Sequence, residues 1–158
     1  METSELVKVH INLPNHWAIQ GEYLWATPLG NDLFRIENVP FYAYGLNFHD
    51  IVNVTYQSDP EIIEIKEIVK ASGHRTFRIF FRSGIEQKEQ ERILSSMEEL
   101  KISFERANEI CFSLNMKPSG NYQAVFDRLD ELENQNIIGF ETCEARIKGS
   151  FDDVPDEN

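Results

Sequence analysis

A tight hairpin in the first third of the chain restricts the fold more than any other sequence feature. Two apolar runs, residues 23–29 and 33–36, flank the turn Gly30-Asn31-Asp32. Glycine and asparagine adopt the positive φ angles that such a turn requires. Pro40 has no amide donor and should interrupt the sheet, so the next strand is expected at residues 51–56. This part of the chain is typical of a small antiparallel β structure.

Two further strands are predicted on either side of this segment. Residues 6–13 alternate between apolar and polar side chains, as in a half-buried strand. The same alternation returns in residues 61–70, where Ile63, Ile65 and Val69 share one face. Five short antiparallel strands without a helix favour a small closed barrel of SH3-like type, because closure removes exposed strand edges.

From residue 72 onward the periodicity predicts strands that alternate with helices. Residues 76–82 alternate as a strand, and Ser83 and Glu86 are predicted to form a capping box ahead of a helix that ends near Leu100. Two strands, a second amphipathic helix and a last strand follow at residues 102–106, 110–116, 122–133 and 137–147. This order of elements is the βαββαβ arrangement of ferredoxin-like domains.

The sequence therefore predicts an α+β protein with two subdomains that meet near residues 71–74. The SH3-like barrel occupies residues 1–71 and the ferredoxin-like subdomain residues 72–149, and the acidic tail at 150–158 is expected to be disordered. In the strand at 110–116, Ile110 is expected to point inward together with Phe112. The predicted C-terminal core contains Phe77, Ile79, Phe112, Leu114, Leu129 and Phe140.

Two segments of this sequence carry a resemblance to a known family. The segment LWA-PLG-FRIENVPFYAYGLNFHDIV, followed by residues 72–78 (SGHRTFR), is similar to small bacterial proteins grouped as domain-of-unknown-function family 4265. The resemblance spans residues 6–145 and is loosest in the C-terminal half. It implies a fold pattern and a bacterial origin, and it supplies no catalytic or binding residues.

The charge of the chain excludes several classes of function. Fifteen basic residues against twenty-seven acidic ones give a net charge of -12 at pH 7. Such a field repels phosphate backbones and anionic lipids and attracts basic partners. We therefore expect neither nucleic acid nor membranes among the partners of this protein.

The cysteines and the apolar runs indicate a cellular compartment. Cys111 and Cys143 are too few for a disulfide framework and are expected to be ordinary thiols. No apolar run approaches the roughly 20 residues that span a bilayer, and residues 1–5 lack the basic and apolar regions of a signal peptide. The expected location is the bacterial cytoplasm.

Few residues in the sequence indicate chemistry. The four histidines, among them His49 and His74, do not occur at metal-ligand spacings, and no phosphate loop, GxSxG or CxxC motif is present. His49-Asp50 is interpreted as a turn and Ser72-Gly73-His74 as a bent linker between the subdomains. The sequence thus predicts no catalytic residue, no cofactor and no metal.

One face of the ferredoxin-like sheet is expected to lie free of helices. Arg78, Phe80 and Arg82 share this face with Cys111, Ser113 and Asn115. An RNA-binding sheet needs several stacking aromatic residues and basic surroundings, and here only Phe80 fits. The favoured interpretation is that the barrel covers this face and that its arginines pair with acids.

The leading functional hypothesis is a non-enzymatic module that binds a basic protein, most concretely an immunity protein that neutralises a basic toxin domain. An acidic inhibitor of a basic toxin gains association rate and complementarity from its charge. The candidate partner-binding residues are acids on the outer faces of the helices: Glu86, Glu89, Glu98, Glu99, Asp127, Asp130, Glu131 and Glu133.

Two alternatives use the cleft expected between the subdomains. One is a small-ligand-binding or regulatory protein, and the other is an enzyme of unknown class. An enzyme should show a concave pocket with convergent titratable groups, whereas a docking protein should show a flat or convex acidic patch. The geometry of the cleft therefore discriminates between these hypotheses.

Overall fold

The computed structural model describes residues 5–17, 19–58 and 61–155. Within these ranges the first half of the chain is built from strands. Their bounds are β1 Val7–Asn12, β2 Gly21–Gly30, β3 Leu33–Ile36, β4 Ile51–Ser58 and β5 Glu61–Lys70. The second half consists of β6 Arg75–Phe81, α1 Gln87–Ser96, a 3₁₀ turn Met97–Leu100, β7 Ile102–Arg106, β8 Cys111–Met116, α2 Tyr122–Asn134 and β9 Ile138–Thr142. The predicted α+β class is confirmed, with two antiparallel sheets and two α-helices.

The first sheet contains the predicted hairpin. β2 pairs antiparallel with β3, and Asn31 and Asp32 in the turn between them adopt φ angles of 57° and 61°. These left-handed angles match the turn geometry that the sequence implies. Strands β1 to β5 follow one another in hydrogen-bonded order, and β1 meets β5 through the parallel pair His10 and Glu64, which closes the sheet into a barrel.

The second sheet has the order β7-β8-β6-β9, and all neighbouring strands are antiparallel. Both helices pack on one face of it. That face buries Phe77, Ile79 and Phe81 of β6 against Ile93 of α1 and Leu129 of α2. The strand alternation therefore decides which residues of β6 remain on the opposite face.

Two separate clusters of buried apolar side chains fill the protein, one inside the barrel and one between the second sheet and its helices. Of the predicted C-terminal core residues, Phe140 is only half-buried and packs edge-on against Phe126 at 5.5 Å between ring centres. The remaining five are buried: Phe77, Ile79, Phe112, Leu114 and Leu129. The division of the chain into two subdomains near residue 71 stays a prediction.

The predicted capping box at the start of α1 is wrong. Ser83 is exposed, Glu86 occupies the N-cap position, and neither side chain caps the helix. Gly84 adopts a φ of 91°, and the Ile85 amide donates to Arg82 O at 3.3 Å, so a separate turn holds Ser83 away from the helix. A side-chain cap occurs instead on α2, where Asn121 Oδ1 accepts from the Ala124 amide at 3.0 Å.

Two apolar positions in strands and the end of the last strand differ from the prediction. Val69 is 54% exposed, because the register between β4 and β5 shifts beside Val52 and turns Ile68 inward instead. This is the effect of a β-bulge on a strictly alternating pattern. Ile110 is 45% exposed because β8 begins one residue later. The last strand ends at Thr142, five residues before its predicted end.

The described part of the acidic tail, residues 150–155, packs against the rest of the protein. Asp152 is buried, and its Oδ2 accepts from the Asn15 amide at 2.7 Å. The Phe151 carbonyl accepts from the Tyr44 amide at 2.9 Å. Residues 156–158, which belong to the same predicted tail, lie outside the described residues. The described part of the tail is thus hydrogen-bonded to the barrel half.

The loop that follows β3 joins the two sheets. The Glu105 carboxylate on β7 accepts from the Val39 amide and, at 3.0 Å, from Asn38 Nδ2. Farther along the same loop, Pro40 O accepts from Ser113 Oγ on β8 at 2.8 Å. The loop therefore covers part of the helix-free face of the second sheet, as the sequence predicts. No helix within the described residues is long and apolar enough to cross a membrane.

Candidate functional site

A cleft of about 430 Å³ opens where the covered part of the second sheet ends. The barrel half supplies one wall, which includes His16, Trp17 and Tyr42. The second sheet supplies the floor, which includes Phe80 and Cys111. Its volume lies within the range of about 300–1,000 Å³ that small-molecule sites occupy. We call this space the cleft.

The cleft takes its floor from an unusual contact between two strands. Phe80 of β6 lies directly opposite Gly139 of β9. A β-carbon at position 139 would overlap the distal end of the Phe80 ring, so the ring occupies space that any other residue would fill. The Arg82 guanidinium lies 5.0 Å from the centre of the same ring. Phe80 is therefore held in place between a glycine and a cation, and it remains 40% exposed.

Arg78 forms the inner wall of the cleft and is 8% exposed. Its Nε donates to Glu141 Oε1 at 2.9 Å, and its terminal nitrogens donate to the carbonyls of Ala43 at 2.9 Å and Tyr42 at 3.1 Å. A longer contact of 3.3 Å reaches Pro40 O. The guanidinium is thus occupied by groups of the protein itself, which supports the predicted pairing of this arginine with an acid.

The charge of Glu141 is likewise neutralised within the protein. Its Oε2 accepts from Tyr44 Oη at 2.9 Å and from Arg146 Nη2 at 3.1 Å, and Arg146 continues to Asp153 at 3.2 Å. Burial, followed by the neighbouring Glu141 charge, raises the pKa of Tyr44 to about 12. The phenol therefore stays protonated at neutral pH and is unsuited to act as a base.

Aromatic side chains form the outer wall of the cleft. Trp17 is 80% exposed and stacks on His16 with ring centres 5.5 Å apart. His16 in turn meets the edge of Tyr42 at 5.4 Å. Burial, and to a lesser extent the positive charge of Arg78, lowers the pKa of His16. At neutral pH this wall is therefore uncharged.

The two cysteines differ in their access to the cleft. Cys111 is half-buried in the cleft, whereas Cys143 is buried outside it. Burial raises the pKa of the Cys143 thiol to about 12. Only Cys111 therefore offers a thiol that a reagent in the cleft can reach.

A second concavity of about 640 Å³ lies beside the start of α1. It is lined mainly by exposed side chains such as Gln87 and Glu109. Its buried polar residue, Gln90, donates to Ile85 O at 3.3 Å. This concavity is a groove between surface side chains and brings no reactive groups together.

The predicted turn His49-Asp50 and the predicted linker Ser72-Gly73-His74 lie next to each other in the structure. The Asp50 carboxylate accepts from the amides of Asn47 and Ser72, each at 2.8 Å. Ser72 Oγ donates to Phe48 O at 2.7 Å. These bonds join the chain before β4 to the chain before β6, and they engage the serine hydroxyl, so the motifs act here as a structural junction.

His49 and His74 complete this junction with ring centres 5.7 Å apart. His49 Nε2 bonds to Glu37 Oε1 at 2.9 Å, and His74 Nδ1 bonds to Asn115 Oδ1 at 3.0 Å. Burial lowers the pKa of His74. Within the described residues, no group of three or more histidine, cysteine or acidic side chains is placed to hold a metal ion.

The acids predicted to bind a partner lie on the helix side of the second sheet, away from the cleft. Glu89 pairs with Arg92, and Glu133 accepts from the Phe140 amide at 3.2 Å, so both are partly engaged within the protein. The others are exposed: Glu86, Glu98, Glu99, Asp127, Asp130 and Glu131. The partner-binding acids predicted from the sequence therefore lie on the opposite face from the cleft.

The sequence predicts a cleft between the two halves but not the full set of residues that line it, because these come from distant parts of the chain. Trp17, Tyr42, Phe80 and Cys111 share no local motif. Strand alternation already places Phe80 and Cys111 on one face of the sheet, whereas no pattern in the sequence indicates Trp17 or Tyr42. Gly139 carried no signal at all, because its role depends on a partner strand.

The fold and the cleft define a class: a mixed α+β protein with two sheets and an aromatic cleft between its halves. The chain belongs to the family described as domain of unknown function (DUF4265), whose model matches residues 22–140. No curated protein matches the sequence. Among solved structures, the chain is similar to a hypothetical protein from Neisseria gonorrhoeae at 20% identity and a TM-score of 0.73, covering 87% of this chain and 95% of that one. This likeness shows the fold alone.

Proposed function

We propose that this chain is a non-enzymatic binding protein that holds a small, uncharged and largely apolar ligand in the cleft. The observation that carries the proposal is the neutralisation of Arg78 by Glu141 and by backbone carbonyls. A charged ligand would have to compete with these bonds, whereas an uncharged apolar ligand gains from the aromatic walls. The charged groups of the cleft, Arg78 and Glu141, are paired within the protein, which favours binding over chemistry.

A titration of the ¹⁵N-labelled protein with naphthalene-2-methanol tests this proposal. We expect the largest shifts at the amides of Phe80 and Cys111, and weaker binding by the carboxylate and methylamine analogues of the same ring. Trp17→Ser should weaken binding, whereas Trp25→Ser, which alters an exposed tryptophan of the barrel outside the cleft, should not. Shifts that concentrate elsewhere, or tighter binding of a charged analogue, would contradict the proposal.

A second candidate function uses the helix face of the same protein. We propose that its exposed acids dock a basic protein partner, and that the most concrete such partner is a toxin domain neutralised by an immunity protein. Glu86, Glu98, Glu99 and Asp130 support this candidate, because each makes no ion pair or side-chain hydrogen bond with other described residues. Unpaired surface acids raise the rate of association with a basic protein.

Capture of the partner from the native host, followed by stopped-flow binding, tests this second candidate. A basic partner whose association slows as salt rises supports it, because salt screens exposed charges beyond about 8 Å at physiological ionic strength. An acidic partner, or a rate that ignores salt, contradicts it. Both proposed functions fit the bacterial cytoplasm, which the free thiols Cys111 and Cys143 also favour.

For the fold, we propose that the barrel is of SH3-like type and that the second half is ferredoxin-like. The order β9-β6-β8-β7 with antiparallel neighbours supports the second assignment, because each helix then connects two parallel strands separated by one other strand. The five-strand closure of the first sheet supports the first assignment.

A further inference from the structure

We propose that the cleft selects a planar aromatic ligand and that Gly139 determines this selection by setting the position of the Phe80 ring. This inference rests on the proposed function of the cleft as an apolar binding site. It adds the shape of the ligand and a specificity-determining residue that does not itself line the cleft.

The position of the Phe80 ring depends on the absence of a side chain at residue 139. Phe80 and Gly139 face each other across neighbouring strands, and a β-carbon on the glycine would overlap the ring. Gly139 has no positive φ angle, so the conformational freedom of glycine is not what the fold uses at this position. What the fold uses is the open space, which lets the ring lie low against β9 and leaves the cleft above it.

A second contact, with Arg82, also restrains the Phe80 ring. The Arg82 guanidinium lies 5.0 Å from the ring centre, an arrangement in which a cation is attracted to an aromatic ring. Because the ring is fixed before any ligand arrives, a ligand loses little free energy in ordering it. The floor of the cleft is therefore a preformed aromatic surface.

The opposite wall is aromatic as well. Trp17 and Tyr42 line the cleft, and His16 stacks on Trp17. Aromatic rings attract each other in offset or edge-to-face arrangements at centre distances of about 4.5–7 Å. A flat ring system can meet both walls in this way, whereas a saturated ring of the same carbon skeleton is thicker and lacks the electrostatic attraction. The walls therefore favour planar aromatic ligands over other apolar ones.

The contact between Phe80 and Gly139 also has a purely structural explanation, because an aromatic ring that covers a glycine stabilises an edge strand. β9 is an edge strand of the second sheet. The two explanations differ in what they predict. If the Phe80 ring only stabilises the edge strand, substitutions of Phe80 or Gly139 should change the stability of the fold. If the ring also shapes the cleft, the same substitutions should change which ligand the cleft prefers.

Titrations of the full chain with naphthalene-2-methanol and with its saturated analogue, decahydronaphthalene-2-methanol, test the inference. We expect the wild-type protein to bind the aromatic compound about three- to tenfold more tightly than the saturated one, from the usual range of aromatic pair energies. Gly139→Ala should push the ring into the cleft and remove most of this preference. Equal binding of the two compounds by the wild type would overturn the inference and leave the proposed function standing.

A double-mutant cycle shows whether Gly139 acts through the Phe80 ring. Phe80→Ala should also remove the preference for the aromatic compound, and adding Gly139→Ala to that variant should change nothing further, because the ring that it displaces is gone. If Gly139→Ala does not fold, Phe80→Ala alone carries the test. A preference that survives Phe80→Ala overturns the inference. Failure of both neutral compounds to bind the wild-type cleft would instead overturn the proposed function.

Discussion

Arg78 Nε donates to Glu141 Oε1 at 2.9 Å across the neighbouring strands β6 and β9, and both side chains also bond to the loop of the barrel half. With its strand position settled by Glu141, the same guanidinium donates to the carbonyls of Ala43 and Tyr42 in the loop of the barrel half. One side chain therefore connects the second sheet to the first. The Arg78 side chain therefore both lines the cleft and contributes to the contact between the two halves.

Replacement of Arg78 by methionine should destabilise the protein strongly. The substitution leaves the carbonyls of Tyr42 and Ala43 without their donor and leaves Glu141 without its closest charge partner. Removing one partner of a fully buried ion pair costs about 3–5 kcal/mol. Because Glu141 is only half-buried and keeps its bond to Arg146, we expect a cost near the lower end of this range. Urea unfolding measures this free energy. Arg92→Met, at an exposed pair with Glu89, is the matched control and should leave the midpoint nearly unchanged. Similar effects of the two variants would show that the Arg78 network adds little to stability.

The burial of Arg78 illustrates what the sequence predicts and what it cannot. Alternation along β6 correctly separates Phe77, Ile79 and Phe81 from Arg78, because side chains on a strand alternate between faces. Alternation cannot show how deeply Arg78 is buried, since its partners are carbonyls of a loop more than thirty residues earlier. The local sequence pattern thus predicts on which face of a strand a side chain lies. Its hydrogen-bond partners depend on the tertiary fold.

The same limit explains the errors in local detail. Ser83 and Glu86 have the spacing of a capping box, yet Gly84 turns the chain before the helix begins. Val69 fits the alternation of its strand, yet a shift in pairing with β4 turns it outward. Both features depend on backbone geometry that residue types permit without requiring it. The lining of the cleft depends on such geometry, which is why the sequence predicts a cleft between the halves but not the residues of its barrel-side wall.

Phe112→Ala should cost roughly 3–5 kcal/mol of unfolding free energy, the usual range for truncating a buried phenylalanine. Phe112 is 5% exposed and meets the edges of Phe81 at 5.7 Å and Phe104 at 5.9 Å. Phe104→Ala is the matched control, because Phe104 is 46% exposed and should cost less than half as much. Denaturant melts compare the two variants. A cost below about 1 kcal/mol for Phe112→Ala would mean that this face of β8 is not in the core.

Glu22 should make the protein less stable as pH rises through the interval above 4.5. The carboxylate is 5% exposed and accepts from the amides of Phe41, Tyr42 and Ala43. Burial raises the pKa of Glu22 above its ordinary value of 4.5, and the amide bonds only partly offset this. The folded state thus binds more protons than the unfolded chain in that interval, and its stability falls as pH rises.

Comparison of the wild type with Glu22→Gln between about pH 4 and 7 measures this effect. A glutamine oxygen can still accept amide hydrogen bonds and carries no charge. The wild type should therefore lose stability relative to Glu22→Gln as pH increases. Parallel profiles for the two proteins would show that Glu22 titrates in the folded state as it does in the unfolded chain.

Charge reversal on α2 tests the proposed docking of a basic partner at the helix face. Asp127, Asp130 and Glu131 are exposed on this helix, so their replacement by lysine should leave the fold intact. It should slow association with the basic partner and reduce the dependence of the association rate on salt, because steering acts through exposed charge. The matched control reverses three exposed acids of the barrel half, Glu5, Glu61 and Glu67, and changes the net charge by the same amount. If both triple variants slow association equally, net charge alone steers the partner, and the helix face is not its docking site. A slower rate for the α2 variant alone, measured by stopped flow at low and high salt, locates the partner on that helix.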